Sequence, residues 1–197
     1  MSFYRYDISD DCKPECLADP LERSLFKYMN RPSTYAALGI DPAFPNASWT
    51  LSSEAVSVAF GGIGSGSRMD VHRKTYLYVA GLLENGIRVL IYAGKTDFAC
   101  NAIGISGWLK SLPWTGLDTY LAAPVRDWFV PGANKTAGQF RKAGLLTFAE
   151  VEGGESADSP LVCLRLTELF TAGHLVPLHK PVESLWMLTR WLAGKDL

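Results

Sequence analysis

The chain has 197 residues, of which 48% are hydrophobic and 20% are charged, and its formal net charge is -1. These values are typical of a folded domain with a buried core and exclude disordered, collagen-like and coiled-coil chains. Because the 19 basic residues do not exceed the 20 acidic residues, we expect no nucleic-acid partner. No apolar run reaches the ~18 residues of a membrane span, so we also expect no membrane partner.

Residues 1–50 are polar and irregular, and their sequence predicts short helices. Asp19, Pro20 and Glu22 predict a helix that begins at Pro20 and ends near residue 30, because they supply an N-cap, a first-turn proline and an acidic N3. Further short helices are predicted over 33–38 and 53–60. The first 20 residues carry five acidic side chains and no hydrophobic region, so we predict no signal peptide in this chain.

From residue 71 onward, helical and strand patterns alternate. Residues 72–86 have helical spacing, and the apolar run 88–94 predicts a strand that is buried on both faces. A helix over 99–111 follows, then antiparallel strands around Gly144 and a strand over 161–169. This order predicts an α/β fold.

The last helix is predicted to run from Pro181 to Leu192 and to pack on the sheet through one apolar face. That face consists of Val182, Leu185, Trp186, Thr189 and Leu192.

Two of the predicted strands lead into loops with titratable side chains, Asp97 after the first and His174 after the last. Ligands bind beyond the carboxyl ends of strands in open α/β sheets. An Asp that precedes a His fits the last two members of an α/β-hydrolase triad, in which the His moves a proton and the Asp orients its ring. The structural alternative is an Asp97 that caps a helix and a His174 with ordinary surface hydrogen bonds.

The surrounding residues carry a family resemblance. Residues 89–101, VLIYAGKTDFACN, resemble the aspartate motif of the serine carboxypeptidases, peptidase family S10. LPW at 112–114 and AGHLVP at 172–177 resemble the LPW element and the histidine motif of the same family, and Tyr6-Asp7-Ile8 resembles the start of its insertion region. The resemblance implies the C-terminal half of such an enzyme: residues 1–50 as the remnant of a helical insertion or cap, and residues 51–197 as part of an α/β-hydrolase catalytic domain.

The resemblance also implies an activity and a set of site residues. The activity is that of a serine-type carboxypeptidase, which releases C-terminal amino acids from peptides through an acyl-enzyme. Asp97 would be the triad carboxylate and His174 the general base, while Cys100 and Leu175 would line the substrate pocket. The expected partner is a peptide C-terminus, with no cofactor and no metal.

Cys12 and Cys16 are compatible with a small disulfide loop or with half of a metal site. No second Cys/His pair at zinc spacing follows them, which favours the disulfide.

Asn46 and Asn134 begin N-x-S/T patterns and would be glycosylation acceptors in a luminal protein. The family resemblance implies a secreted or a vacuolar or lysosomal location.

A nucleophile is not identified in the sequence. A nucleophile elbow needs G-x-S-x-G, and a partial match around Ser106 has Trp108 at its last position. We therefore expect the chain alone to be inactive. The resemblance also implies that the first strands of the central sheet belong to the missing half, so we expect strand 88–93 to be an unpaired sheet edge. The alternatives are a truncated gene product, a processed half that joins a serine-bearing N-terminal half, and a non-catalytic remnant or binding module. A carboxypeptidase-like acyltransferase or lyase also fits the same Asp-then-His order.

Overall fold

The computed structural model of the chain describes residue 8 and residues 20–41, 48–50, 53–61, 73–152 and 173–197. The chain divides into two compact units, one of Met1–Cys12 with Thr75–Leu197 and the other of Lys13–Lys74. The sequence-based boundary near residue 50 and the assignment of residues 1–50 to an insertion stay predictions. The predicted strand over 161–169 lies outside the described residues.

The smaller unit contains the three predicted short helices. They are α1 Pro20–Met29, α2 Pro32–Ala37 and α3 Glu54–Ala59. Each begins where the sequence supplies a start signal: Pro32 occupies the first turn of α2, and the Ser53 side chain accepts a hydrogen bond from the backbone N–H of Val56 in α3. Gly39 follows α2 with a φ of 67°, a left-handed conformation that favours glycine.

The larger unit is a mixed sheet with helices. Its helices are α4 Tyr76–Glu84, α5 Ala102–Leu109, α6 Leu117–Ala122, α7 Val176–His179 and α8 Pro181–Leu192. Its strands are β1 Val89–Gly94, β2 Val125–Trp128, β3 Gly138–Ala143 and β4 Leu146–Val151. The strand order is β1-β4-β3-β2, with β1 parallel to β4 and the other pairs antiparallel. The α/β prediction is confirmed.

The first strand, β1, is the outermost of the described strands, and the expectation that it forms an unpaired edge stays a prediction. Among the described strands its one neighbour is β4, and the register sets Val89 opposite Leu146 and Gly94 opposite Val151. The prediction that this strand is buried on both faces is wrong: the Tyr92 side chain is 42% exposed, and the middle of the strand is half-buried. The reason is that, among the described strands, β1 has a neighbour on one side only, which leaves part of it exposed.

Two apolar clusters form the core on opposite faces of the sheet, because alternate residues of a strand point to opposite sides. One cluster joins α4, α5, α6 and the sheet and contains Ala80, Leu83, Val89, Leu109, Leu112, Tyr120, Ala143 and Leu146. The other joins the sheet to α7 and α8 and contains Trp128, Ala137, Phe140, Ala149, Val151, Val176 and Met187. On β4 the faces alternate accordingly, with Leu146 in the first cluster and Ala149 and Val151 in the second.

The inward face of α8 differs from the predicted one. The helix does pack on the sheet, but its buried residues are Ser184 and Met187. Most of the predicted face is at the surface: Val182 is 61% exposed, Leu185 67% and Leu192 60%. Of the five predicted residues, Trp186 alone packs against the core cluster, and the Thr189 side chain is exposed. The buried side of the helix is therefore the one that carries Ser184 and Met187, and not the one that carries Val182, Leu185 and Leu192.

None of the helices in the described ranges combines the length and the hydrophobicity that crossing a bilayer requires.

Candidate active site

Asp97 lies in the tight turn that follows β1. Its backbone N–H donates to the carbonyl of Gly94 at 3.3 Å, and its Oδ1 accepts the backbone N–H of Cys100 at 3.0 Å. This is the local hydrogen bonding that Asp side chains favour in turns. The residue is 5% exposed, so the carboxylate is buried and held in one orientation. The backbone N–H of Ile8 also donates to the carbonyl of Thr96, at 2.9 Å.

His174 reaches the same place from a loop that is 77 residues away in the sequence. It stands two residues before α7, and its Nδ1 lies 2.8 Å from Oδ2 of Asp97. The two side chains differ in exposure, 38% for His174 and 4% for Asp97. The Asp97 carboxylate is therefore buried, whereas the His174 ring that it bonds is partly accessible to solvent.

The hydrogen bond determines the chemistry that the ring can perform. An ionised carboxylate can only accept, so the bond requires the imidazole proton on Nδ1 of His174 and leaves the basic lone pair on Nε2. When Nε2 takes a second proton, the negative charge of Asp97 stabilises the imidazolium that forms. The pair can thus accept a proton from one reacting group and return it to another.

The structure brings Cys100 to the same pair. One ligand atom from each of Asp97, Cys100 and His174 lies within 4.8 Å of the other two, and Cys100 is an exposed free thiol. Leu175 follows His174 directly, and its side chain is 48% exposed. Their predicted roles in lining a substrate pocket stay predictions.

The structure describes some of the other predicted site residues and leaves the rest undescribed. Cys12, Cys16 and Asn46 lie outside the described residues. Asn134 is exposed, and its role as a glycosylation acceptor stays a prediction. Ser106 lies inside α5 and not at a turn between a strand and a helix, so it does not form a nucleophile elbow.

One ion pair beside the Asp97 turn was not found by sequence reasoning. Nζ of Lys95 bonds the carboxylate of Glu152, which follows β4, and this hydrogen bond raises the pKa of Lys95. The backbone N–H of Lys95 donates to the carbonyl of Val151 at 3.0 Å, so the ladder between β1 and β4 continues to the turn. No local sequence signal could reveal the pair, because it depends on the register of the two strands.

The profile of a known family, described as serine carboxypeptidase, matches residues 9–194. The chain belongs to the serine carboxypeptidase family. Among curated proteins, it is 30% identical over 190 residues to "Serine carboxypeptidase-like 48" of Arabidopsis thaliana, covering 96% of this chain and 31% of that protein. It is also 30% identical to carboxypeptidase Y of Schizosaccharomyces pombe, covering 96% of this chain and 16% of that protein. The chain thus spans a third or less of the length of these relatives.

A solved structure supports the fold assignment of this serine carboxypeptidase chain. The prohormone-processing carboxypeptidase Kex1 of Saccharomyces cerevisiae superposes with a TM-score of 0.66 at 21% identity, covering 96% of this chain and 36% of that one. The prediction of an α/β-hydrolase-type fold is therefore confirmed.

Proposed function

We propose that Asp97 and His174 are the acid–base pair of a serine-type carboxypeptidase, which releases C-terminal amino acids from peptides. The observation that carries this proposal is the 2.8 Å hydrogen bond between Asp97 Oδ2 and His174 Nδ1. The two residues belong to separate motifs, 77 positions apart, and the bond forms between the atoms that a triad requires. Membership of the serine carboxypeptidase family supports the class of reaction.

In this reaction Nε2 of His174 accepts the proton of a serine hydroxyl as the serine oxygen attacks the scissile carbonyl carbon. The ring then gives that proton to the leaving amine, the C–N bond breaks, and an acyl ester on the serine remains. Water hydrolyses the ester by the same proton transfers. Asp97 keeps the ring in the correct tautomer and stabilises the imidazolium at each step.

We further propose that the serine comes from a segment outside these 197 residues. The sequence has no G-x-S-x-G motif, and Ser106, which matches it in part, lies within α5. Two surfaces fit the serine-bearing part of the same fold: the flank of β1 that none of the described strands covers, and the exposed apolar stripe Val182, Leu185 and Leu192 on α8. Unpaired strand edges and contiguous apolar surface are features by which chains associate. The curated relatives extend well beyond the part that this chain covers, which leaves room for such a segment.

The substrate proposal follows from the same family. A peptide with a free C-terminus would bind beside the pair, with Cys100 and Leu175 lining the pocket for the side chains around the scissile bond. We propose a secreted or a vacuolar or lysosomal location, where a Cys12–Cys16 disulfide and glycans on Asn46 and Asn134 could form. The exposure of Asn134 supports an acceptor role for that residue.

A chimera tests this function. The segment of the Arabidopsis relative that aligns with this chain is replaced by the chain, and release of the C-terminal amino acid from a blocked dipeptide is measured. We expect hydrolysis that falls by about 10⁴–10⁶ in kcat in His174→Ala, as in enzymes that lose a triad member. The matched control is Lys135→Ala, which removes an exposed side chain from another loop. A folded chimera without hydrolysis, or with hydrolysis that His174→Ala leaves intact, contradicts the proposal.

A further inference from the structure

We propose that Asp97, Cys100 and His174 form a binding site for Zn²⁺. The three residues each offer one ligand atom, a carboxylate oxygen, a sulfur and an imidazole nitrogen, and these atoms lie within 4.8 Å of one another. The sequence alone does not indicate this site, because His174 lies in a different loop from the other two residues. The fold brings the three together.

The distances suit a zinc ion after a small adjustment. Zinc bonds are ~2.0–2.3 Å long, so the ligand atoms of a tetrahedral site lie about 3.3–3.8 Å apart. The ligand atoms lie within 4.8 Å of one another, so the most distant ones would approach by up to about 1 Å. Oδ2 of Asp97 and Nδ1 of His174 lie 2.8 Å apart, so where these are the ligand atoms that pair would instead open by about 0.5–1 Å. Cys100 and His174 are both exposed, which leaves their side chains room to move, whereas Asp97 is buried and fixed by the backbone N–H of Cys100.

The chemical nature of the three ligand atoms determines which metal ions the site favours. A thiolate and an imidazole favour zinc and similar ions over Mg²⁺ and Ca²⁺, which prefer oxygen ligands. Three protein ligands leave the fourth tetrahedral position to water, which is the arrangement of open zinc sites. On binding, the thiol of Cys100 loses its proton to solvent, and His174 binds as a neutral ring with its one proton on the nitrogen that does not face the metal.

Zinc at this position has a chemical consequence. A metal that takes the Asp97 carboxylate and the His174 ring competes with the 2.8 Å hydrogen bond between them. Zinc would therefore inhibit proton transfer by His174. This consequence rests on the proposed function, whereas the binding of the metal does not.

Cobalt spectroscopy on the full chain tests the site without any measurement of activity. Co²⁺ is added to the reduced protein, and the sulfur-to-cobalt charge-transfer band and the visible bands of four-coordinate cobalt are recorded. We expect both, and we expect Zn²⁺ to abolish them by displacement. Cys100→Ser should remove the charge-transfer band, and His174→Ala should weaken cobalt affinity by more than the ~10–100-fold that loss of an outer-shell partner costs.

The remaining cysteines of the chain are matched controls. Cys12→Ser with Cys16→Ser, and separately Cys163→Ser, should leave the charge-transfer band unchanged. Absence of the band in the unmodified chain overturns the proposal. A band that survives Cys100→Ser and disappears with Cys12 and Cys16 also overturns it, because the metal would then bind the N-terminal pair. Because these readouts come from the metal and not from turnover, failure of the zinc site and failure of the carboxypeptidase proposal are distinguishable.

Discussion

The neighbouring strands β1 and β4 have the same length and differ in how they are covered. β4 pairs on both sides, and Leu146, Ala149 and Val151 are completely buried. β1 pairs with β4 and has no second neighbour among the described strands, and Tyr92 is 42% exposed. Yet Asp97, in the turn after β1, is buried and forms a 2.8 Å hydrogen bond with His174. The comparison teaches that the turn after β1 can orient Asp97 toward His174 although β1 itself has a neighbour on one side only among the described strands.

The largest expected effect concerns the turn after β1. In the chimera described above, Asp97→Asn should reduce kcat by about 10⁴, because an amide facing Nδ1 favours the wrong tautomer of His174. The control is Asp118→Asn, an exposed aspartate in the first turn of α6. Steady-state kinetics with the blocked dipeptide provide the measurement. Equal kcat values for the two variants would show that Asp97 is a structural turn residue without a role in proton transfer.

The second prediction compares how much β4 and β1 each contribute to the free energy of unfolding. Leu146→Ala at the buried first residue of β4 should lower the free energy of unfolding by about 2–5 kcal/mol, since it removes core contacts and leaves a cavity. Tyr92→Ala on β1 should change it by no more than about 0.5 kcal/mol, as for other surface substitutions. Urea denaturation of the full chain measures both. Similar losses would indicate that β1 is covered in solution, for example by a second copy.

The third prediction concerns the exposed stripe of α8. Leu185→Asp should weaken binding of the serine-bearing part by about 1.5–3 kcal/mol, the value of burying a leucine side chain. The stability of the chain by itself should stay within about 0.5 kcal/mol, because Leu185 is 67% exposed there. Calorimetric titration of the two polypeptides gives the first quantity and urea denaturation the second. An unchanged affinity would exclude this stripe from the interface.

The smallest expected effect is at the C-terminus. Hydrogen bonds from Lys142 and then Arg126 hold the pKa of Asp196 below its ordinary value. A carboxyl with a lowered pKa contributes stability above the ordinary aspartate range and loses it as the pH falls through its folded-state pKa. Because these side chains are partly exposed, Asp196→Asn should cost about 0–1 kcal/mol at neutral pH. Thermal unfolding at neutral and acidic pH should show this difference disappearing in acid; a constant difference would contradict the pairing.

The elements that could be predicted are those with local signals. Helices α1, α2 and α3 begin at a proline or a capping serine, and strands β3 and β4 flank a glycine turn at Gly144. The Asp97–His174 pair was found because each residue lies in a specific motif. The helical pattern of 72–86 was correct in type, although α4 begins later, at Tyr76.

The elements that were missed depend on contacts distant in sequence. Strand β2 has the sequence VRDW, whose two central charges hide the strand pattern; it forms by pairing with β3, where Trp128 stands opposite Gly138. Gly138 has a φ of 147°, and an added Cβ would lie 1.9 Å from the carbonyl oxygen of Glu150, so the approach of the strands requires glycine there. Likewise, periodicity detects an apolar stripe on α8 but cannot indicate which face of the helix the sheet covers.

The central claim is that the Asp97–His174 pair is competent for proton transfer and needs a serine from outside these residues. The direct measurement is hydrolysis of a blocked dipeptide by the chain alone and by the chain mixed with a separately expressed serine-bearing segment of a relative. We predict no hydrolysis by the chain alone, and hydrolysis by the mixture that disappears in His174→Ala. Turnover by the chain alone that disappears in His174→Ala would contradict the claim, because a nucleophile would then lie within the 197 residues.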